Sequence, residues 1–432
     1  MSILIKHVTL NGVLCDVYIE DNRFKTIAPH IACTADYVLD GDGKAILPAF
    51  YNTHNHAAMT SMRGYADDID LFPWLKNHIW PFEACITEED VYHCTRLAIL
   101  EMIRGGTVFF NDMYWFSVAT IRAIEEMGIR AAVGRLFIES SPGIILEQNR
   151  KENERLEAMK DSLSSRVILT YAPHAIYTVS GKTLSMIGEQ AKAGNDFIHI
   201  HASETELEVS NSYKDHGLSP IAWLDKCGML GPRTILAHCI HLSTDDIALI
   251  RQRECIIAHN PTSNHKLASG RFRFHEVVQE AGCHVTIGTD GVASNNNLSM
   301  LEAMKFAALS AKDQSKKATV APANLIFDCA TRKGAEAFSI HAGVIEEGRL
   351  ADALLVDLYH PSMVPNHHLI SNMVYAADTS CIDTVICDGR ILMTNKVIPG
   401  ERDIIKAAQY AIEQILGRLT RNAEGVNNDE RK

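Results

Sequence analysis

Two histidines separated by one residue close the apolar run Leu47-Pro-Ala-Phe-Tyr-Asn-Thr-His-Asn-His56. In a β-strand alternate side chains share a face, so His54 and His56 would point together and Asn55 away. Two imidazoles on one face make half of a metal site, but His-x-His also occurs by chance in many strands. The other apolar runs decide the matter, because most of them close on residues of the same kind. His174 ends one, His201 followed by Glu204 another, His238 and His241 a third, His259 and Asn260 a fourth, and Asp290 a fifth. Structural zinc sites draw on short local spacings, whereas His56, His201 and Asp290 are far apart in the chain. Histidine and aspartate ligands gathered from distant strands, with room left for water, form the catalytic kind of site. Competing motifs fail: His275-Glu276 has no second histidine at zincin spacing, and neither Gly-x-x-x-x-Gly-Lys nor Gly-x-Gly-x-x-Gly occurs.

Bringing such ends together requires strands that all finish on one side. Strand-like runs cover residues 46–56, 107–113, 130–139, 167–174, 196–203, 234–242, 255–264 and 284–291. Helical patterns lie between them, among them Glu88–Arg104 and Ser117–Met127. Eight strands alternating with helices predict a parallel (β/α)8 barrel of the TIM type, an α/β fold whose active site sits at the C-terminal strand ends. The first 45 or so residues differ, being short strands broken by Asn11-Gly12, Asp21-Asn22 and Gly41-Asp-Gly43 turns. The same texture returns at Ala353–Asp357 and over 384–392. Neither end can bury a core alone, so the two are expected to pair into one small β-sandwich domain. The expected division is 1–47 and 348–400 for its halves, 48–347 for the barrel, and 401–432 for a C-terminal helix over 403–420 with a frayed polar tail from 421.

Composition narrows the class. At 432 residues, 47% hydrophobic and 22% charged, the chain reads as an ordinary globular protein. A net charge of −12 with no basic stripe disfavours nucleic-acid or anionic-membrane partners. No apolar run approaches a membrane span, and a basic-then-apolar leader is absent, so a cytoplasmic protein is expected. The 11 cysteines are scattered without a Cys-x-x-Cys pair and read as small core residues.

Taken together, Asn52-Thr-His-Asn-His56, His201-Ala-Ser-Glu-Thr205, Ala237-His-Cys-Ile-His-Leu242, His259-Asn-Pro-Thr-Ser-Asn264 and Gly288-Thr-Asp-Gly-Val-Ala-Ser-Asn-Asn296 resemble the amidohydrolase superfamily. Arg63-Gly-Tyr-Ala-Asp-Asp68, Trp74-Leu75, Ile79-Trp-Pro-Phe-Glu83 and Lys266-Leu-Ala-Ser-Gly270 narrow the resemblance to its 5′-methylthioadenosine/S-adenosylhomocysteine deaminase branch, near the triazine hydrolases. The resemblance implies one divalent metal ion, zinc first and iron second, on His54, His56, His201 and Asp290. Such an ion lowers the pKa of bound water toward about 7. By the same resemblance Asp290 also accepts a proton, Glu204 shuttles one to the ring nitrogen, and His238 stabilises the oxyanion. On a straight strand His201 and Glu204 would face opposite ways, so the chain must turn after His201.

The implied reaction is hydrolytic removal of ammonia from C6 of an adenine nucleoside: 5′-methylthioadenosine, S-adenosylhomocysteine, adenosine or 5′-deoxyadenosine. Glu83 would hold the ribose hydroxyls, His174 would meet purine or ribose, Trp74 would form an apolar wall, and Arg135 would approach a substrate carboxylate. A second arginine for that carboxylate is missing: Ile144-Ile-Leu-Glu147 occupies its place, and Arg150 follows several residues later. S-adenosylhomocysteine is therefore the weaker expectation, since a bidentate clamp needs both donors. The alternative is a deaminase or chlorohydrolase acting on guanine, a pterin or a triazine at the same mononuclear site. A dinuclear hydantoinase-like site would want a lysine at the end of the fourth strand, where His174 stands. The resemblance also implies a homo-oligomer.

Overall fold

The computed structural model describes residues 1–429. Its middle is a sheet of eight parallel strands: β1 (Phe50–Asn55), β2 (Thr107–Asp112), β3 (Arg130–Phe137), β4 (Val167–Pro173), β5 (Phe197–Ala202), β6 (Thr234–His238), β7 (Ile256–His259) and β8 (His284–Ile287). Each pairs with the next in chain order. Most are buried along their whole length, as strands sandwiched between barrel interior and outer helices must be. The first and last strands are joined by side chains and one backbone bond. Thr53 Oγ1 lies 2.8 Å from Thr286 Oγ1 and donates to the Ile287 carbonyl, and the Asp290 N–H donates to the His54 carbonyl at 3.0 Å. Closure therefore brings the first and last polar strand ends side by side.

The outer helices are well signalled locally. Helix Glu88–Arg104 starts at a capping box between Thr87 and Asp90, buries Val91, Cys94, Ala98, Ile99 and Met102 at helical spacing, and stops at Gly105. The long helix Glu401–Asp429 packs on it through Ile404, Ala408, Ala411 and Ile415, and Arg418 donates to the Cys85 carbonyl. The tail expected from 421 is thus helical through Asp429; the expectation for 430–432 lies outside the described residues.

The run expected as one strand over 46–56 divides at Ala49. Lys44–Pro48 leaves the barrel and pairs antiparallel with Ala353–Asp357 in a second sheet, which unites N- and C-terminal segments. That sheet is continuous, running from Arg390–Met393 through Ile382–Cys387, Ala353–Asp357, Lys44–Pro48, Ser2–Leu10 and Val13–Glu20 to Arg23–Ala28, with Tyr37–Asp40 also on Ser2–Leu10. Strand alternation gives it two apolar faces. Ile46, Ala353, Leu355 and Ile386 join Ile3, Ile5, Val17 and Phe24 in a core of its own, whereas Leu47, Leu354, Val356 and Val385 join the barrel's core.

A buried ionic cluster fastens the two units at the N-terminal end of the barrel. Arg130 at the start of β3 donates to Asp388 at 2.9 Å and lies 3.6 Å from Asp352. Asp352 also accepts from the Tyr51 hydroxyl and, at 2.6 Å, from the Asp388 N–H. Removing one partner of such a cluster leaves carboxylates buried without a counter-charge. Arg130→Met is expected to cost about 3–5 kcal/mol in denaturant unfolding, while turnover of the folded fraction stays at the parental rate because the polar strand ends lie at the opposite end.

Candidate active site

At the C-terminal strand ends the alternation rule places the histidines where it should. The Asn55 side chain turns outward to the Met102 sulfur, while His54 Nε2 and His56 Nε2 converge on Asp290 Oδ1 at 3.3 and 3.2 Å. His201 Nε2 lies 3.3 Å from His56 Nε2. Donor atoms of His54, His56 and Asp290 fall within 4.8 Å of one another, and so do those of His54, His201 and His238. His54 Nε2 is buried without a hydrogen-bond partner. An inward-facing lone pair among imidazoles and one carboxylate is the donor set a divalent ion of the zinc type needs.

Each member is held by bonds on its other side. His56 Nδ1 bonds the Met113 carbonyl at 2.5 Å and His201 Nδ1 the His174 carbonyl at 2.7 Å. Asp290 Oδ2 accepts from Ser263 Oγ at 2.6 Å and Ser294 Oγ at 2.9 Å, and Oδ1 accepts from the Gly291 N–H at 2.8 Å. Asp290 reaches this position from a left-handed backbone, φ 63°, a conformation that a non-glycine residue adopts at some cost. Gly288 is needed just before it, since a Cβ there would sit 2.3 Å from Asn260 Oδ1 and 3.0 Å from His54 Cβ.

Burial and charge set the protonation of the cluster. Burial pushes His54 down to about 4 and His174 down to about 3. Burial would lower His56 too, but the Asp290 carboxylate outweighs it and raises that ring to about 9. Burial would raise Asp290, yet its close approach and charge attraction to His54 and His56 hold it well below the usual range.

The turn demanded between His201 and Glu204 is present. Ser203 takes a left-handed φ of 52°, and Glu204 then faces the cluster, its Oε1 3.9 Å from His238 Nδ1. Beneath the turn the Glu208 carboxylate accepts from the N–H groups of Ser203 and Glu204 at 2.9 and 2.8 Å. The Thr205-x-x-Glu208 spacing of a helix start signals this residue in the sequence. Burial raises Glu204 above the ordinary glutamate value, with the Asp290 charge adding to the rise and His238 opposing it. His238 Nδ1 bonds Asn264 Oδ1 at 2.7 Å.

These groups floor a cavity of about 760 Å³, the size of a small-ligand site. Its wall comes largely from the helical run over 71–84, where Leu71, Trp74, Leu75, Ile79 and Glu83 recur at three- and four-residue spacing. Trp74 therefore lines the cavity while its indole N–H donates to the Ala66 carbonyl at 2.9 Å. Glu83 lies in the lining; burial raises its pKa, and the facing polar groups of Trp115 and Tyr114 oppose the rise. His174 also lines it, its Nδ1 bonded to Thr178 Oγ1 at 3.0 Å. The two segments at Arg63–Asp68 and Lys266–Gly270 meet at the rim, where Lys266 Nζ pairs with Asp67 at 2.5 Å.

Arg135 is a correction. It points to the helix side of β3, pairs with Glu157 at 2.7 Å and lies over the Tyr171 ring, while its neighbour Leu136 lines the cavity. Arg150 is likewise held at the surface by Glu147 and Glu154. His259 stacks on Phe272 in the core, and His241 bonds the Ser269 carbonyl, so neither joins the cluster. Tyr114, Trp115 and Tyr177 line the cavity without having been singled out in the sequence; they lie in loops, where no periodicity marks them.

The model of the amidohydrolase family matches residues 45–392. The chain belongs to this family. Among amidohydrolase relatives, the chain is 44% identical to a 5′-deoxyadenosine deaminase of Methanospirillum hungatei over 93% of its own length and 90% of the relative's. It is 44% identical to 5-methylthioadenosine/S-adenosylhomocysteine deaminase 1 of Archaeoglobus fulgidus, over 91% and 92% of the two chains. The fold superposes on the crystal structure of a zinc-bound adenosine deaminase from Xanthomonas campestris with a TM-score of 0.89, covering 96% of this chain and 98% of the other at 31% identity. This amidohydrolase barrel thus combines a candidate metal cluster, a buried carboxylate beside it and a ligand-sized cavity above both.

Proposed function

We propose that this amidohydrolase is a metal-dependent hydrolytic deaminase that attacks C6 of an adenine nucleoside and releases ammonia and the inosine analogue. One observation carries the reading. Glu204 and His238 lie 3.9 Å apart and open with His56, His201 and Asp290 into the single cavity that Glu83 also lines. The relatives named above, acting on 5′-deoxyadenosine or on methylthioadenosine and S-adenosylhomocysteine, agree with it.

His54, His56, His201 and Asp290 would hold one divalent ion, zinc in the first instance. When bound, the ion supplies the Lewis acidity that makes water a nucleophile near neutral pH. Glu204 would take one proton from the attacking water and deliver it to the ring nitrogen beside C6, a task suited to a carboxyl whose pKa burial has raised, and Asp290 would accept the second and pass it to the amine that departs as ammonia. His238, fixed by the bond of its Nδ1 to Asn264, would stabilise the oxygen that gains charge at C6. Trp74 and Leu75 exclude water from the ring, His174 meets purine or ribose, and Glu83 accepts from the ribose hydroxyls.

Among the described lining residues no lysine or arginine faces the cavity, and both candidate arginines are turned onto glutamates. An uncharged 5′ group, as in 5′-deoxyadenosine or methylthioadenosine, fits that lining better than a carboxylate. The test is ammonia release by zinc-loaded protein from adenosine, 5′-deoxyadenosine, methylthioadenosine, S-adenosylhomocysteine and guanine, with chloride release from a chlorotriazine alongside. Silence with every purine nucleoside overturns the reading. Glu83→Gln is expected to lower kcat/KM for nucleosides by roughly 10–100-fold, the scale of losing a charge-assisted hydrogen bond. Free adenine, which has no ribose, should respond far less.

A further inference from the structure

Three imidazoles face the metal cluster from β1 and β5, and each needs its Nδ1 proton tied down for Nε2 to offer a lone pair. His56 and His201 use backbone carbonyls, of Met113 and His174, which no substitution removes. His54 is different. Its Nδ1 lies 2.8 Å from Nε2 of another side chain, His199, which sits two residues before His201 and so on the same inward face of β5, one layer deeper. The rings meet edge-on with centroids 4.9 Å apart, and both residues are 0% exposed. His199 belongs to neither group of converging donors, and its Nδ1 has no partner among the described residues. Its one polar contact is therefore His54, which mere filling of space does not require.

We propose that His199 is a positioning residue for the metal centre: it accepts the Nδ1 proton of His54 and thereby fixes both the tautomer and the ring angle that aim His54 Nε2 at the ion. The inference rests on His54 being a ligand. With the proton on Nδ1, Nε2 is free to coordinate; without an acceptor at Nδ1 the neutral ring can place its proton on Nε2 instead, toward Asp290 3.3 Å away. The amide oxygen of glutamine can occupy nearly the place of His199 Nε2, whereas leucine fills the space with no acceptor.

The test measures zinc affinity by competition with a chromophoric chelator, for the parent, His54→Ala, His199→Gln and His199→Leu, together with each protein's Tm before zinc is added. His199→Leu is expected to weaken zinc binding 10–100-fold without lowering that Tm, and His199→Gln to stay within about threefold of the parent. Parental affinity in His199→Leu overturns the proposal, as does equal loss in both variants. If His54→Ala itself binds zinc like the parent, the ligand assignment fails instead, so the two failures are distinguishable. Should His199→Leu not fold, His199→Phe, which also lacks an acceptor, takes its place.

Discussion

Glu204→Gln is expected to lower kcat/KM for an adenine nucleoside by roughly 10²–10⁴-fold with zinc content unchanged, the range spanned by positioned general acids and bases. The substitution preserves shape and the Ser269 Oγ contact at 3.4 Å but removes the proton carrier. The pH profile adds a second readout. In the free enzyme Glu204 must be ionised to take a proton from water. Burial raises its pKa above the ordinary glutamate value, so activity is lost as pH falls through that raised pKa. The acid limb should accordingly lie above the range of an exposed glutamate in the parent and be absent from whatever activity the variant keeps. An unchanged kcat/KM in the zinc-loaded variant would remove Glu204 from the mechanism.

The second large effect concerns Asp290. Asp290→Asn keeps the volume and an acceptor for Ser263 or Ser294 but removes the only carboxylate on which His54 and His56 converge. A dication loses its one anionic ligand among imidazoles, and both zinc retention and turnover should collapse. Stability reports the same loss independently. Parent protein with zinc at 100 times its Kd should gain about 2.7 kcal/mol toward unfolding, because the ion binds the folded state alone. The Asn variant should gain almost nothing at that concentration, and chelation should bring the parent down to the same level. A full zinc-induced Tm shift in Asp290→Asn would show that the ion is held elsewhere.

The sequence carried the architecture where a simple period governs it. Alternation alone aimed His54 and His56 inward and Asn55 outward, and the polar strand ends marked the site's side of the barrel. It failed where that period is silent. In β3, Val133-Gly-Arg135-Leu-Phe137 is buried on both faces, so hydrophobicity cannot say which residues face the interior; Arg135 points to the helices and Leu136 to the cavity. The same silence hid His199, which reads as one polar residue inside an apolar strand. Turn geometry was legible only as a requirement: something had to reverse the chain after His201, and neither strand nor helix period says that Ser203 does it, although the Glu208 that cradles the turn is local. The break at Ala49 was likewise invisible, since one unbroken apolar run serves two sheets.

That shared run constrains the order in which the molecule can be assembled. Lys44–Pro48 hands the chain directly into β1, yet its antiparallel neighbour Ala353–Asp357 is translated roughly 300 residues later, a loop whose closure entropy grows only slowly with length. Throughout synthesis of the barrel one edge of Lys44–Pro48 stays an open template for strangers, the kind of edge along which chains aggregate. A nascent chain stalled before residue 353 would hold every candidate metal ligand and still carry that unsealed edge. The last strands of the terminal sheet are therefore the closing stitch of the fold, sealing that edge far from the chemistry.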